Sequence, residues 1–252
     1  MSNDNLKKKN IAAVSNIGCR RHNNEDMAYA GSTQYGTLLV VADGMGGHRK
    51  GEVASKEVVD TLSITFASNR HRLSSSSAKR MTKKAIKKAN KNIYKMSFAT
   101  GEFEEMGTTV VAALRGIDGT YVINLGDSRC YSYSQDSGLV RQTIDQSYVE
   151  LLYENGRISK KEMQSHPQKN MLINAVGINP DVSEIQDKII DNSSYSILLL
   201  CSDGLYNMVS DEDIAKVLSD KGLDVQAKAD TLIKMALDAG GNDNIAVSIM
   251  GE

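Results

Sequence analysis

The chain has 252 residues and a formal net charge of -1, and 40% of its residues are hydrophobic and 24% charged. That balance excludes a global electrostatic pull toward nucleic acid or an anionic membrane. It fits an ordinary soluble globular protein, long enough to bury a sizeable core. Three cysteines, Cys19, Cys130 and Cys201, are an odd number without metal-ligand spacing, so they read as reduced thiols in or near the core. The opening MSNDNLKKKN has basic residues with no apolar stretch after them, unlike a signal peptide. No run approaches the ~18 apolar residues of a membrane span. The expectation is a cytoplasmic protein.

In chain order, short β-branched apolar runs over 11–17 and 37–42 read as strands. Helical patterns follow over 52–67 and 77–96, the second with Ala85, Ile86, Ala89 and Ile93 at helical spacing. Strands return over 108–114 and 121–125, then an irregular middle, then a strand over 197–201. Helices over 211–218 and 225–239 follow, with Ser210 and Asp224 as N-caps, and a strand over 245–250 closes the chain. Strict strand–helix alternation is lacking, and consecutive strands near 108–134 favour antiparallel pairing. With only two prolines, Pro167 and Pro180, no linker separates two units. One domain over 11–252, preceded by a tail over 1–10, is expected.

The stretch VVADGMGGHRKGEVAS, residues 40–55, leads from a strand into a glycine-rich turn. It fails the dinucleotide fingerprint, because Arg49 stands where the third glycine belongs. It also fails the P-loop pattern, because Glu52 stands where lysine belongs. What is left is Asp43 at the end of an apolar strand, where a carboxylate is costly unless paired or metal-bound. Asp203 ends a second apolar run, ILLLCSDG, in the same way. Asp243 in GGNDN precedes the last strand, and Asp26 in NED follows the first. Each Asp alone reads as an ordinary turn residue. If the strands converge, four carboxylates would repel one another until cations neutralise them. Two divalent ions would balance the charge, and an all-oxygen set favours Mg²⁺ or Mn²⁺ over Zn²⁺.

One further pattern is electrostatic. The helix around 79–95 carries Lys79, Arg80, Lys83, Lys84, Lys87, Lys88, Lys91 and Lys95 and no acid. A solvated face and a docking patch for acidic or phosphorylated partners both fit it. Nothing supports nucleic-acid binding.

The segments GCRRHNNED, VVADGMGGHRKGEVAS, MGTTVVAAL, NLGDSRCY, HPQKNMLINAVG, LLLCSDGLYNMV and GGNDNIAV, in this order, resemble the metal-dependent serine/threonine protein phosphatases of the 2C type, the PPM family, in their bacterial branch. The resemblance spans about 11 to 249. It implies an α+β fold: a central β-sandwich of two antiparallel sheets flanked by pairs of helices, with the metals at one end and a flap over about 145–180. It implies that Asp43 bridges two metal ions, that the Gly44 carbonyl ligates one, and that Asp203 and Asp243 complete a shell. Glu25 and Asp26 would hold metal-bound waters, Asp127 a third ion, and Arg21 the phosphoryl group. The implied activity is one-step hydrolysis of phosphoserine and phosphothreonine by a metal-bridged hydroxide.

Two positions depart from the family pattern. Met45 stands where eukaryotic members carry a candidate general-acid histidine, and His48 nearby could serve as that acid or stabilise the turn. Gln146 stands where relatives carry histidine. His166-Pro167 reads as a local structural element. The implied partners are phosphorylated proteins and an opposing serine/threonine kinase, without nucleic acid or membrane, and the chain is expected to be a monomer. A catalytically silent module of the same fold and a small-molecule phosphoesterase are the alternatives.

Overall fold

A computed structural model describes residues 10–46, 50–99, 106–182 and 184–251. The first part of the chain forms β1 (Ile11–Asn16), β2 (Asp26–Thr33), β3 (Gly36–Met45), α1 (Lys50–Ala67) and α2 (Ser75–Ala99). Next come β4 (Gly107–Thr108), β5 (Val110–Arg115), β6 (Thr120–Leu125), β7 (Arg129–Ser134) and β8 (Gly138–Arg141). Two short helices, α3 (Tyr148–Glu154) and α4 (Lys160–Ser165), precede β9 (Gln186–Ile190) and β10 (Ile197–Cys201). The chain ends through α5 (Asp203–Tyr206), α6 (Asp211–Ser219), α7 (Val225–Asp238) and β11 (Ile245–Gly251).

The strands form two antiparallel sheets. One runs β1-β11-β10-β7-β8; the other runs β2-β3-β5-β6-β9, with the short β4 also paired to β3. Side chains on successive residues of a strand point to opposite faces, and here both faces are covered. Leu38, Val40 and Ala42 of β3 pack with α1 and α2, whereas Leu39 and Val41 face the other sheet, against Leu198, Leu200 and Ala246. On the far side, Leu199, Cys201, Val247 and Ile249 pack under α5, α6 and α7. Double coverage explains why these strands read as continuous apolar runs rather than alternating ones. The chain is therefore an α+β sandwich of four layers.

The last two long helices begin where expected, and the first two begin two residues earlier, at Lys50 and Ser75. Ser210 Oγ accepts the Asp213 amide, and Asp224 Oδ1 accepts the Ala227 amide at 2.9 Å. Several elements differ from the sequence reading. The irregular middle contains α3, α4 and β9. Asp26 opens a strand, β2, that the apolar pattern did not disclose. Its residues DMAYAGST are mostly small, and its pairing partner β3 rather than local propensity makes it extended. Cys130 and Cys201 are buried thiols, but Cys19 is exposed in the loop after β1, contrary to the core reading.

Candidate metal centre

The pairings bring the expected acids to one end of the sandwich. Asn16 at the end of β1 pairs with Ile245 at the start of β11, and Cys201 at the end of β10 pairs with Val247. Asp26 lies opposite Asp43, and Leu125 at the end of β6 lies opposite Val110 at the start of β5. Asp203 and Asp127 follow β10 and β6, and Asp243 precedes β11, so all the chain ends that bear acids point the same way. A cavity of about 780 Å³ lined by Ile11, Ile197, Lys228 and Gly251 opens at the opposite end, away from these acids.

The glycine after each strand-end aspartate permits this crowding. A Cβ on Gly44 would collide with the Gly51 carbonyl at the start of α1, and one on Gly204 with the Asn244 carbonyl beside Asp243. The Asp43 backbone is fixed by Thr109. Its amide donates to Thr109 Oγ1 at 3.0 Å, and its carbonyl accepts the Thr109 amide at 2.8 Å. Ser202 Oγ donates to Asp26 Oδ2 at 2.6 Å and accepts the Ala246 amide, tying β2 to β10 and β11.

Such crowding shifts the carboxyl groups. Burial, reinforced by Asp26, Asp203, Asp127 and Asp243, pushes the Asp43 carboxyl well above its usual range. Burial also raises Asp26 to about 8, against the stabilising Ser202 hydroxyl, and Asp127 to about 8 beside Asp203 and Asp145. Asp203 rises to about 6 through burial and the neighbouring Asp243. Among the described residues, no three His, Cys, Asp or Glu side chains stand as a ready-made ligand group. The acids act on one another instead, Asp26 and Asp203 lying close enough to Asp43 to raise its carboxyl. An all-oxygen set of mutually repelling carboxylates, with the Gly44 carbonyl beside them, suits hard divalent cations.

Arg21 completes the site from the loop after β1. Its Nη2 donates to Asp243 Oδ2 at 2.7 Å, and the side chain stays 56% exposed. The bonded Asp243, with Asp203 and Asp43 nearby, keeps the guanidinium firmly charged. Glu25, whose carboxyl is raised by burial, lies near both Arg21 and Asp243. Asn244 holds this loop in place. Its Nδ2 donates to the Ile17 and Asn23 carbonyls at 2.9 Å, and its Oδ1 accepts the Glu25 amide at 2.9 Å.

A second network supports Asp127 and Asp203. The Arg129 guanidinium lies 3.5 Å from the ring centre of Tyr206 in α5, and its Nη2 donates to Asp145 Oδ2 at 2.7 Å. Tyr206 in turn donates to the Asp127 carbonyl at 3.1 Å. Gln146 accepts the Gly126 amide at 3.0 Å and donates to the Glu184 carbonyl at 2.8 Å, a scaffold task for which an amide side chain suffices. His166 Nδ1 accepts the Gln168 amide at the end of α4.

The structure thus gathers Arg21, Glu25, Asp26, Asp43, Gly44, Asp127, Asp203 and Asp243 at one rim. His48 lies outside the described residues. Asn244, Ser202, Thr109 and Arg129 went unread as supports; only the position of Asn244 in GGNDN, next to Asp243, carried a signal.

Clustered oxygen donors beside a solvent-facing guanidinium make the rim chemically suited to hard cations and to a phosphoryl group. Comparison with known proteins specifies it further. The protein phosphatase 2C family profile matches residues 20–238. The serine/threonine phosphatase Stp of Listeria monocytogenes is 36% identical over 231 residues, spanning 92% of this chain and 90% of Stp. The crystal structure of serine/threonine phosphatase Stp1 from Staphylococcus aureus matches with a TM-score of 0.88 at 33% identity, covering 96% of this chain and 94% of Stp1. The catalytic domain of the phosphatase PstP, solved with two manganese ions, matches with a TM-score of 0.80 at 31% identity over 96% of both chains. The chain belongs to the protein phosphatase 2C family.

Proposed function

We propose that this chain is a metal-dependent protein phosphatase that hydrolyses phosphoserine and phosphothreonine on proteins, opposing a serine/threonine kinase in the cytoplasm. The observation that carries the reading is the gathering of six acids at one rim, with the exposed Arg21 bonded to one of them. Asp43, Asp203, Asp243 and the Gly44 carbonyl would hold two Mg²⁺ or Mn²⁺ ions, with Glu25 and Asp26 bonding to the surrounding waters. Asp127, beside Asp203, would serve a third. When bound, the ions supply neutralisation of the phosphoryl oxygens and acidification of the attacking water.

The remaining chemistry belongs to side chains. Arg21 offers a planar fork of donors that matches a phosphoryl group, and cation binding at Asp243 would release the guanidinium to hold it. Its exposure suits a phosphate presented on another protein's chain rather than a small molecule enclosed in a pocket. Asn244 and Ser202 keep the acids in register, so that the reacting phosphorus is met by a site already organised. The segment over 145–180 borders Asp127 through Gln146 and would act as a flap beside the substrate.

The test is turnover of a phosphothreonine peptide with Mn²⁺. Activity that disappears on adding a chelator and returns with Mn²⁺ is expected. No turnover under any metal condition would leave a silent module. Faster hydrolysis of free nucleotides than of the peptide would make the chain a small-molecule phosphoesterase.

A further inference from the structure

The outward face of α2 carries a charge pattern that the hydrolytic site does not use. Lys79, Arg80, Lys84, Lys87, Lys88, Lys91 and Lys95 are exposed and Lys83 is partly so, all within half of the helix circumference. Ala78, Ala85, Ile86, Ala89 and Ile93 on the other face are buried against β5 and β6. The helix contains no acid, so like charges stand three and four residues apart along its length, which weakens a helix. Interspersed glutamates would relieve that repulsion, and none is present.

One carboxylate is already bound there. Asp187 in β9 accepts from Lys79 and from Lys83, each at 2.8 Å. Burial alone would raise the Asp187 carboxyl, but the two ammonium groups outweigh it and hold it below its usual value. The helix is also linked to the acidic site by a chain of hydrogen bonds. Asn90 Oδ1 accepts the Gly177 amide at 2.7 Å, and Val176 exchanges backbone hydrogen bonds with Thr108. Thr108 Oγ1 donates to the Asp43 carbonyl at 2.9 Å.

We infer that the α2 stripe is a docking surface for an acidic segment of the phosphoprotein substrate, lying in the same chain as the phosphorylated residue. This rests on the reading of the chain as a protein phosphatase. From Lys79 to Lys95 the stripe is about 24 Å long, which some seven extended residues would span. Carboxylates are the favoured ligand because Asp187 demonstrates the pairing. The most exposed large apolar side chains among the described residues lie outside α2, so charge rather than apolar contact distinguishes this face.

The experiment compares three substrates: p-nitrophenyl phosphate, a short phosphothreonine peptide, and that peptide extended by six glutamates on either side. Wild type is set against the combined variant K84E, K87E, K88E and K91E, which leaves the Asp187 pairs and all site acids intact. Wild type is expected to favour an extended peptide by about tenfold in kcat/KM at low salt, through KM, and to lose the preference at high salt. The variant is expected to lose that preference while hydrolysing p-nitrophenyl phosphate at the wild-type rate. Equal rates on short and extended peptides in wild type, or a preference that survives in the variant, would overturn the inference. Binding of anionic vesicles or single-stranded DNA without any preference for the acidic peptide would overturn it as well. If the charge reversals impair folding, the same four positions changed to Gln give the same comparison. Should wild type hydrolyse nothing, the phosphatase reading fails instead. Fluorescence anisotropy of a labelled hexaglutamate peptide then decides the stripe: binding that the variant loses supports it, and no binding overturns it.

Discussion

Asp26 and Asp43 occupy one rung of the β2–β3 ladder, directly opposite each other, with the Asp26 carboxyl also taking the Ser202 hydroxyl at 2.6 Å. Like charges placed across a sheet oppose pairing. The sandwich therefore holds these acids together at a cost, which a bound cation would remove.

Replacing Asp43 by Asn keeps the shape and removes the charge. Turnover of a phosphothreonine peptide is expected to fall by at least about a hundredfold. The metal-free protein is expected to melt at a higher temperature than wild type, because repulsion with Asp26 and Asp203 is relieved. Asp203→Asn should behave alike. Wild-type turnover in either variant at saturating Mn²⁺ would sink the two-ion reading; thermal melts in chelator check the stability half.

The same shifts set a pH dependence for the metal-free protein. Asp26 and Asp127 are raised from 3.8 to about 8, and Asp203 to about 6, so between about pH 4 and 8 the folded state binds more protons than the unfolded. Stability from these groups is complete below pH 3.8 and is lost as the pH rises through their folded values. Urea unfolding in chelator should show the protein weaker at pH 8 than at pH 5.5 by at least about 1 kcal/mol. Asp26→Asn should flatten that slope, and added Mn²⁺ should stabilise more at pH 8. A steeper slope in the variant would contradict the assignment.

On the proposed reading, Arg21→Ala removes a charged hydrogen bond to the phosphoryl group and leaves the acids in place. KM is expected to rise about tenfold, with kcat changing less. Steady-state kinetics on the phosphothreonine peptide read the split. A kcat defect with unchanged KM would assign Arg21 to the transition state alone.

Asn244→Ala leaves the Ile17 and Asn23 carbonyls and the Glu25 amide without their side-chain partner. A loss of about 2–4 kcal/mol in urea unfolding is expected. Metal affinity should weaken too, since the loop bearing Arg21 and Glu25 is released; calorimetric titration with Mn²⁺ measures it.

Arg129→Ala separates Tyr206 from Asp145 and leaves that buried carboxylate to Arg141. Destabilisation of about 2–4 kcal/mol is expected. Arg129→Lys should recover little of it, because an ammonium cannot both stack on the ring and bond Asp145 through several donors. Denaturant midpoints of the two variants decide this.

The apolar strands and the four long helices were legible in the sequence, because burial on both faces or on one stripe imposes a period or a continuous run. Asp43 and Asp203 were legible for a related reason: an Asp-Gly that interrupts an apolar strand is out of place without a partner. β2 was not, since its alanines, glycine and serine become extended through pairing with β3. Nor were α3 and α4, short helices with little buried surface. Gln146, expected only as a departure, joins Gly126 to Glu184.

The sequence by itself determined which residues are out of place and, through the order of seven motifs, which family they resemble. Only the tertiary structure decided that β1, β2, β3, β6, β10 and β11 bring their acid-bearing ends to the same rim, and that Arg21 meets Asp243 across 222 positions of chain. Local patterns encode burial and turns, because those depend on neighbours a few residues away. The register between distant strands depends on how whole sheets pack, and the charge at the rim is the sum of that packing.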